Sequence, residues 1–176
     1  MTDVDAAVIS RLEAWTADGV AERLWAKDGS LWAASGKPPQ EVAAWLGWLD
    51  LPGVMPGRVG ELEHLARDVR EDGYRRAAVL GMGGSSLAPE LFSRVFGGPA
   101  PAEGLELRIL DSTHPDVVRS FRAWAGEQRT IFCVSSKSGS TTEPNAFQAA
   151  MGEVAPALDF IAITDPGSSL GELARA

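Results

Sequence analysis

The stretch Ala77-Ala78-Val79-Leu80-Gly81-Met82-Gly83-Gly84-Ser85-Ser86 decides the fold. Its four apolar residues are too few for a helix. They run into a glycine-rich turn and out into a helical pattern marked by Leu87, Leu91 and Val95, expected to end at Gly97-Gly98. The rhythm recurs three times. Leu107-Arg108-Ile109-Leu110 ends in Asp111-Ser112-Thr113 before a helix from about Pro115 to Trp124. Ile131-Phe132-Cys133-Val134 enters a hydroxyl-rich loop and then a helix carrying Phe147, Ala150, Met151 and Val154. Phe160-Ile161-Ala162-Ile163 enters Thr164-Asp165-Pro166-Gly167-Ser168-Ser169 and the start of another helix. Repeated strand-loop-helix units require right-handed crossovers and a sheet covered on both faces, so the expected class is α/β with a doubly wound parallel sheet.

Working outward, Val59, Leu62, Leu65, Ala66 and Val69 mark an amphipathic helix that stops at Gly73, and Gly97 to Gly104 reads as a Gly/Pro/Ala-rich surface connection. The first 56 residues differ. They hold five of the six tryptophans (Trp15, Trp25, Trp32, Trp45, Trp48) and no β-branched run. Val8, Leu12 and Trp15 share one helical face, as do Val42, Trp45, Leu46 and Leu49, with a break at Gly36-Lys37-Pro38-Pro39. The expected organisation is a helical arm over 1–56 and an α/β domain over 57–176. The tryptophans are expected to pack the arm as a cap on a neighbouring domain, with a partner-binding surface as the alternative.

Composition narrows the function. In 176 residues, 45% are hydrophobic and 23% charged, which excludes a disordered, collagen-like or coiled-coil chain. The formal net charge of -8 argues against a broad nucleic-acid or anionic-lipid surface, so any anion must be held locally. Neither nucleic acid nor membrane is an expected partner. The single cysteine, Cys133, excludes an internal disulfide or thiolate metal cluster and reads as a buried strand residue. His64 and His114 have no second ligand at metal-binding spacing, so neither metal nor cofactor is expected. The acidic N-terminus lacks a basic segment leading into an apolar core, and no apolar run approaches the ~20 residues that cross a bilayer. The cytoplasm is the expected compartment.

Chemistry should collect beyond the carboxyl ends of the strands, where loop amides and helix N-termini converge. The loop from Gly81 to Ser86 lacks the third glycine of a dinucleotide fingerprint, and no phosphate-loop motif of the nucleotide-hydrolase type occurs. Its glycines permit close backbone approach, with Ser85 and Ser86 offered to an oxygen-rich ligand; a tight turn capped by a serine accounts for the same residues. The third loop carries more. From Ser135 to Thr142 there are six hydroxyl residues in eight positions, together with Lys137, the only lysine after residue 37. Ser140-Thr141-Thr142-Glu143 fits a capping box, so hydroxyls and the positive helix end coincide, as a phosphate monoester requires. Asp111 and Asp165 read as turn or cap residues, and the capping box accounts for Glu143.

The strings VLGMGGSSLAPE, VSSKSGSTTEP and FIAITDPGSSL, in this order, resemble the N-terminal sugar-isomerase (SIS) subdomain of the glucose-6-phosphate isomerase family, and look closest to its bacterial transaldolase-fused type. The likeness covers roughly residues 57 to 176. It implies a flavodoxin-like SIS fold, hexose phosphate as ligand, and aldose-ketose isomerisation in glycolysis and gluconeogenesis. By position, Gly84 and Ser85 match the loop that lies against the sugar, and Ser136, Lys137, Ser138 and Thr141 match the phosphate loop. Where the family usually has Gly-Pro this chain has Ala88-Pro89, and Ser138 and Ser140 stand where threonine is common. The family's general-base glutamate, ring-opening histidine and late lysine lie C-terminal to every matched segment, and no transaldolase portion is visible. The catalytic residues are thus unassigned. The chain is expected to be a fragment, inactive alone, that forms a homodimer or associates with a C-terminal part. A non-catalytic SIS module or sensor is the alternative, and a Trp-rich interaction module the third.

Overall fold

The computed structural model describes residues 3–96 and 104–176. The expected helix end at Gly97-Gly98 and most of the Gly97–Gly104 connection lie outside the described residues. The chain divides into two compact units, Met1–Leu62 and Glu63–Ala176.

In the second unit, four short apolar segments form the strands β1 (Arg76–Gly81), β2 (Glu106–Leu110), β3 (Thr130–Ser135) and β4 (Phe160–Ile163). All pairings are parallel and the sheet order is β2-β1-β3-β4. The expected doubly wound class is the one observed. From β1 the chain steps one way to β2, then crosses back past β1 to β3, so the direction of winding reverses between β1 and β3. That reversal opens a crevice at the carboxyl ends of these two strands. Gly81 pairs with Ser135, and Ser135 with Ile163, so the loops leaving β1, β3 and β4 emerge side by side.

The helices of this unit are α6 (Gly84–Phe96), α7 (Pro115–Gly126), α8 (Thr142–Gly152) and α9 (Ser169–Leu173). One sheet face carries the larger core: Ala78, Leu80, Leu110, Phe132 and Val134 against Phe121 and Trp124 of α7, Phe147 and Met151 of α8, and Leu170 of α9. The alternate strand residues face the other way, as period-2 geometry demands. There Ile131 packs with Tyr74 and with Val69 of α5 (Val59–Glu71), with Ala77, Leu105 and Ile161 around them.

The amphipathic reading of α5 holds only at its C-terminal end, where Val69 is buried; Val59, Leu62 and Leu65 are about half exposed. In α6 the residues that marked the helix point outward, Leu87, Leu91 and Val95 being 58–62% exposed, while Ser86 is buried. The tight turn before α6 brings its first residues close to β1. A Cβ on Gly81 would already lie 3.1 Å from Ser85 Cβ.

The first unit holds the helices α1 (Asp3–Ala17), α2 (Val20–Trp25), α3 (Pro39–Ala44) and α4 (Leu51–Val54), with 3-10 turns at Gly29–Ser35, Gly47–Asp50 and Met55–Arg58. Val42, Leu46 and Leu49 are buried as their spacing predicts. The five tryptophans are not; they are 39–65% exposed. Trp45 drops out of its expected face because the helix gives way to a 3-10 turn after Ala44, and its ring instead stacks under Lys37 Nζ at 5.1 Å. No helix among the described residues is long and apolar enough to cross a membrane.

Candidate functional site

The loop between β3 and α8 is held by its own hydroxyls. Ser136, nearly inaccessible, donates through Oγ to Thr141 Oγ1 at 3.2 Å and accepts from the Gly139 N–H at 3.2 Å. Ser138 Oγ accepts from the Ser140 N–H at 3.2 Å and lies 3.0 Å from Ser140 Oγ. Gly139 sits in the left-handed region with φ +69, which turns the chain so that Ser136 reaches Thr141 while Ser138 pairs with Ser140. Lys137, in the same turn, is exposed. Its side chain makes no ion pair among the described residues.

The capping box is not formed. The N-cap of α8 is Thr141, and its hydroxyl accepts from Ser136 rather than from a helix amide. Glu143 lies in the first turn of α8 without a side-chain hydrogen bond among the described residues. The first-turn amides therefore have no side-chain cap. No hydrogen bond among the described residues takes up the Ser138 N–H either. A helix end with free N–H groups, a flanking hydroxyl cluster and a nearby ammonium forms a cradle suited to an anion.

The loop after β1 turns at Gly83, φ +56, and α6 starts at Gly84. The Ser85 N–H donates to Met82 O at 3.2 Å, and its side chain is partly open. Ser86 departs from expectation: it is 1% exposed and its hydroxyl donates to Gly83 O at 3.0 Å, which removes it from any ligand. Gly84 and Ser85 thus share the β1–β3 crevice rim with Ser136, Lys137, Ser138 and Thr141, through the pairing of Gly81 with Ser135.

Sequence reasoning singles out only Asp165 in the turn after β4, although this turn holds the β3 loop directly. The Ser136 N–H donates to Ile163 O at 3.0 Å, and the Asp165 N–H to Lys137 O at 3.0 Å. Thr164 Oγ1 donates to Lys137 O at 3.3 Å and Ser169 Oγ to Gly139 O at 3.0 Å. The Thr-Asp-Pro-Gly-Ser-Ser string, dense in hydroxyls like its neighbour, was the available signal.

Neither Asp111 nor Asp165 caps a helix, although Asp165 opens the turn expected of it, its carbonyl accepting from the Ser168 N–H at 3.3 Å. Ser168 caps α9, accepting from the Gly171 N–H at 3.0 Å, and His114 caps α7, its Nδ1 accepting from the Asp116 N–H at 3.3 Å. Both aspartates are exposed. Among the described residues no group of three or more His, Cys, Asp or Glu side chains could hold a metal ion.

No protein-family profile matches the chain. A glucose-6-phosphate isomerase from Carboxydothermus hydrogenoformans is 32% identical over 111 residues, an alignment that takes in 56% of this chain and 22% of that protein. The chain thus spans about a fifth of the length of the curated relative it matches. A hypothetical protein, TT0462, from Thermus thermophilus superposes with a TM-score of 0.61 and 24% identity, covering 93% of this chain and 38% of the other. A glucose-6-phosphate isomerase from Chlamydia trachomatis superposes with a TM-score of 0.55 and 24% identity over 70% of this chain and 25% of its own. These two share the fold.

Proposed function

We propose that this chain is the sugar-phosphate-binding part of a glucose-6-phosphate isomerase, built as an SIS domain of the transaldolase-fused type and working in the cytoplasm. The observation that carries the reading is the uncapped N-terminus of α8, with the Ser138 N–H unpartnered beside it and the hydroxyls of Ser136, Ser138 and Thr141 gathered at the strand crossover. Partial identity to a named isomerase supports the same family.

The phosphate of a hexose 6-phosphate is held by Lys137, Ser138 and Thr141, with Ser136, nearly inaccessible, donating to the Thr141 hydroxyl and so setting it for the same site, and the sugar extends toward Gly84 and Ser85. Hydrogen bonds to a dianion contribute about 1.5–3 kcal/mol each, so a few suffice without a basic surface. Aldose-ketose isomerisation moves a proton between C1 and C2 through a cis-enediol. It needs a carboxylate within hydrogen-bond reach of those carbons and an acid that opens the ring. The residues proposed here fix the far end of the substrate, which converts an encounter into an oriented complex. Asp111, Asp165 and Glu143 are not oriented by any side-chain hydrogen bond among the described residues, and none is assigned the base.

Titration of the 176-residue chain with glucose 6-phosphate and with inorganic phosphate tests the site. Lys137→Ala should weaken both by about 1.5–3 kcal/mol with the fold intact, the loss of one charge-assisted contact. Unchanged affinity in a folded variant rejects the site. A coupled assay on chain freed of host isomerase should show no turnover in the ordinary range of about 1–10³ per second; turnover in that range would place the base among residues left unassigned here.

A further inference from the structure

We infer that the turn between β4 and α9 is the positioning element of the phosphate loop, acting through the hydroxyls of Thr164 and Ser169; this rests on the phosphate reading of residues 136–141. Neither residue is offered to the ligand in that reading. Each instead fixes a carbonyl of the loop that is.

The hydrogen-bond inventory gives the contact a direction. Thr164 has one hydroxyl proton, and it goes to Lys137 O at 3.3 Å. The 2.7 Å contact between Thr164 Oγ1 and Ser168 Oγ must then be donated by Ser168. Ser168 in turn accepts the Gly171 N–H at 3.0 Å. The result is a one-way chain from Gly171 N–H through the Ser168 and Thr164 hydroxyls to the Lys137 carbonyl, each bond polarising the next. The Asp165 N–H reaches the same carbonyl at 3.0 Å. Two residues on, Gly139 O accepts from Ser169 Oγ at 3.0 Å and from Asn145 Nδ2 at 3.4 Å.

Peptide planarity carries this to the ligand side. In a trans peptide the C=O of one residue and the N–H of the next point in opposite directions. Holding the Lys137 carbonyl toward the β4–α9 turn therefore aims the Ser138 N–H away from it. The Gly139 carbonyl, held the same way, fixes the plane that carries the Ser140 N–H. Packing reinforces the hold, since a Cβ on Gly139 would lie 2.8 Å from Ser168 Cβ and 2.9 Å from Leu170 N. The loop is thus ordered before any anion arrives, and ordering removed in advance is not charged against affinity.

The test uses the whole chain and two probes, inorganic phosphate and glucose 6-phosphate, followed by amide NMR at Ser138 and Thr142. Thr164→Val keeps shape and removes the hydroxyl; it should weaken both ligands by about five- to thirtyfold, the loss of one ordered hydrogen-bond chain. It should also shift the Ser138 amide in the ligand-free protein. Thr164→Ser should restore both. Ser169→Ala, at an exposed position, should weaken binding in the same sense if Thr164→Val does not fold. Wild-type binding with unchanged affinity in folded Thr164→Val or Ser169→Ala overturns the positioning role and leaves the phosphate site standing. Failure of Thr164→Ser to restore binding also overturns it. No binding by the folded wild-type chain overturns the phosphate reading, and this inference with it.

Discussion

Gly139 has room for a hydrogen and nothing larger. Its φ of +69 is one that L side chains rarely adopt, and the space a methyl would need is filled by Ser168 and Leu170. Gly139→Ala should destabilise the second unit by about 1–3 kcal/mol, from backbone strain plus the displaced turn, with urea denaturation as the measurement. A midpoint equal to wild type would mean the turn moves freely. In the other unit, Asp28 is the residue with the plainest titration. The Ser30 hydroxyl at 2.5 Å, Arg23 at 2.8 Å and the Ser30 N–H at 2.9 Å pull its carboxyl down to about 2. A depressed carboxylate favours the folded form above the unfolded value near 4, and this contribution disappears as pH falls through about 2. A carboxyl-carbon NMR titration should find the midpoint of Asp28, which caps the 3-10 turn Gly29–Ser35, near 2, and a midpoint near 4 would show these hydrogen bonds to be open. At this scale the hydroxyls of the β3 loop were legible from their density. The capping role of Glu143 was misread because the helix starts one residue later than the Ser140–Glu143 box requires: the N-cap is Thr141, the residue three beyond it is Pro144 with no N–H to offer, and Ser140 turns to Ser138 instead.

Among the elements, β1 is fastened at its amino end by Arg76. Its side chain, 8% exposed, donates to Glu106 at 2.9 Å, to Glu127 at 3.0 Å and to the carbonyl of Trp124. The Trp124 ring lies between Arg76 at 4.9 Å and Arg108 at 4.8 Å, and its Nε1–H donates to Glu106 at 2.9 Å. Burial would raise the Glu106 carboxyl, but hydrogen bonds from Trp124, Arg76 and Arg108 outweigh it and hold the group below its ordinary value. This clamp therefore stabilises fully above the unfolded carboxylate's pKa and weakens as pH falls through the lower folded one. Arg76→Met should cost about 1–3 kcal/mol in urea denaturation. That is less than a fully buried pair would lose, because both glutamates reach water and can rehydrate. A loss under a few tenths would mark the clamp as ornamental. The strands themselves were legible to within a residue or two, since four short apolar runs before turn-rich loops leave few other readings. The helices were legible as helices but not in their facing. The spacing of Leu87, Leu91 and Val95 gives a stripe without saying which way it turns, and in the fold that stripe is the exposed one.

For the molecule as a whole, sequence order and crossover handedness were enough to foresee a parallel sheet and the edge where its loops meet. They could not foresee that the β4–α9 turn grips the β3 loop, because those contacts join residues some thirty positions apart through backbone carbonyls that carry no sequence signal. Within the arm, the buried side chains include Val42, Leu46 and Leu49, which helical spacing marked, rather than the tryptophans. One consequence of the sheet is analytical. Cys133 is the sole thiol in the chain and lies on β3, with β1 on one side and β4 on the other. Its side chain is partly buried, not fully as the strand reading expected, and the burial it has pushes its pKa up, so thiolate is scarce. The chain thus contains its own clock for opening of the sheet. A disulfide-exchange dye at mildly alkaline pH should label the native protein at least about a hundredfold more slowly than the denatured one, with the urea dependence reporting whether the middle of the sheet opens alone or only when everything unfolds. Labelling at the denatured rate without urea would mean that the middle of the sheet stands open to solvent.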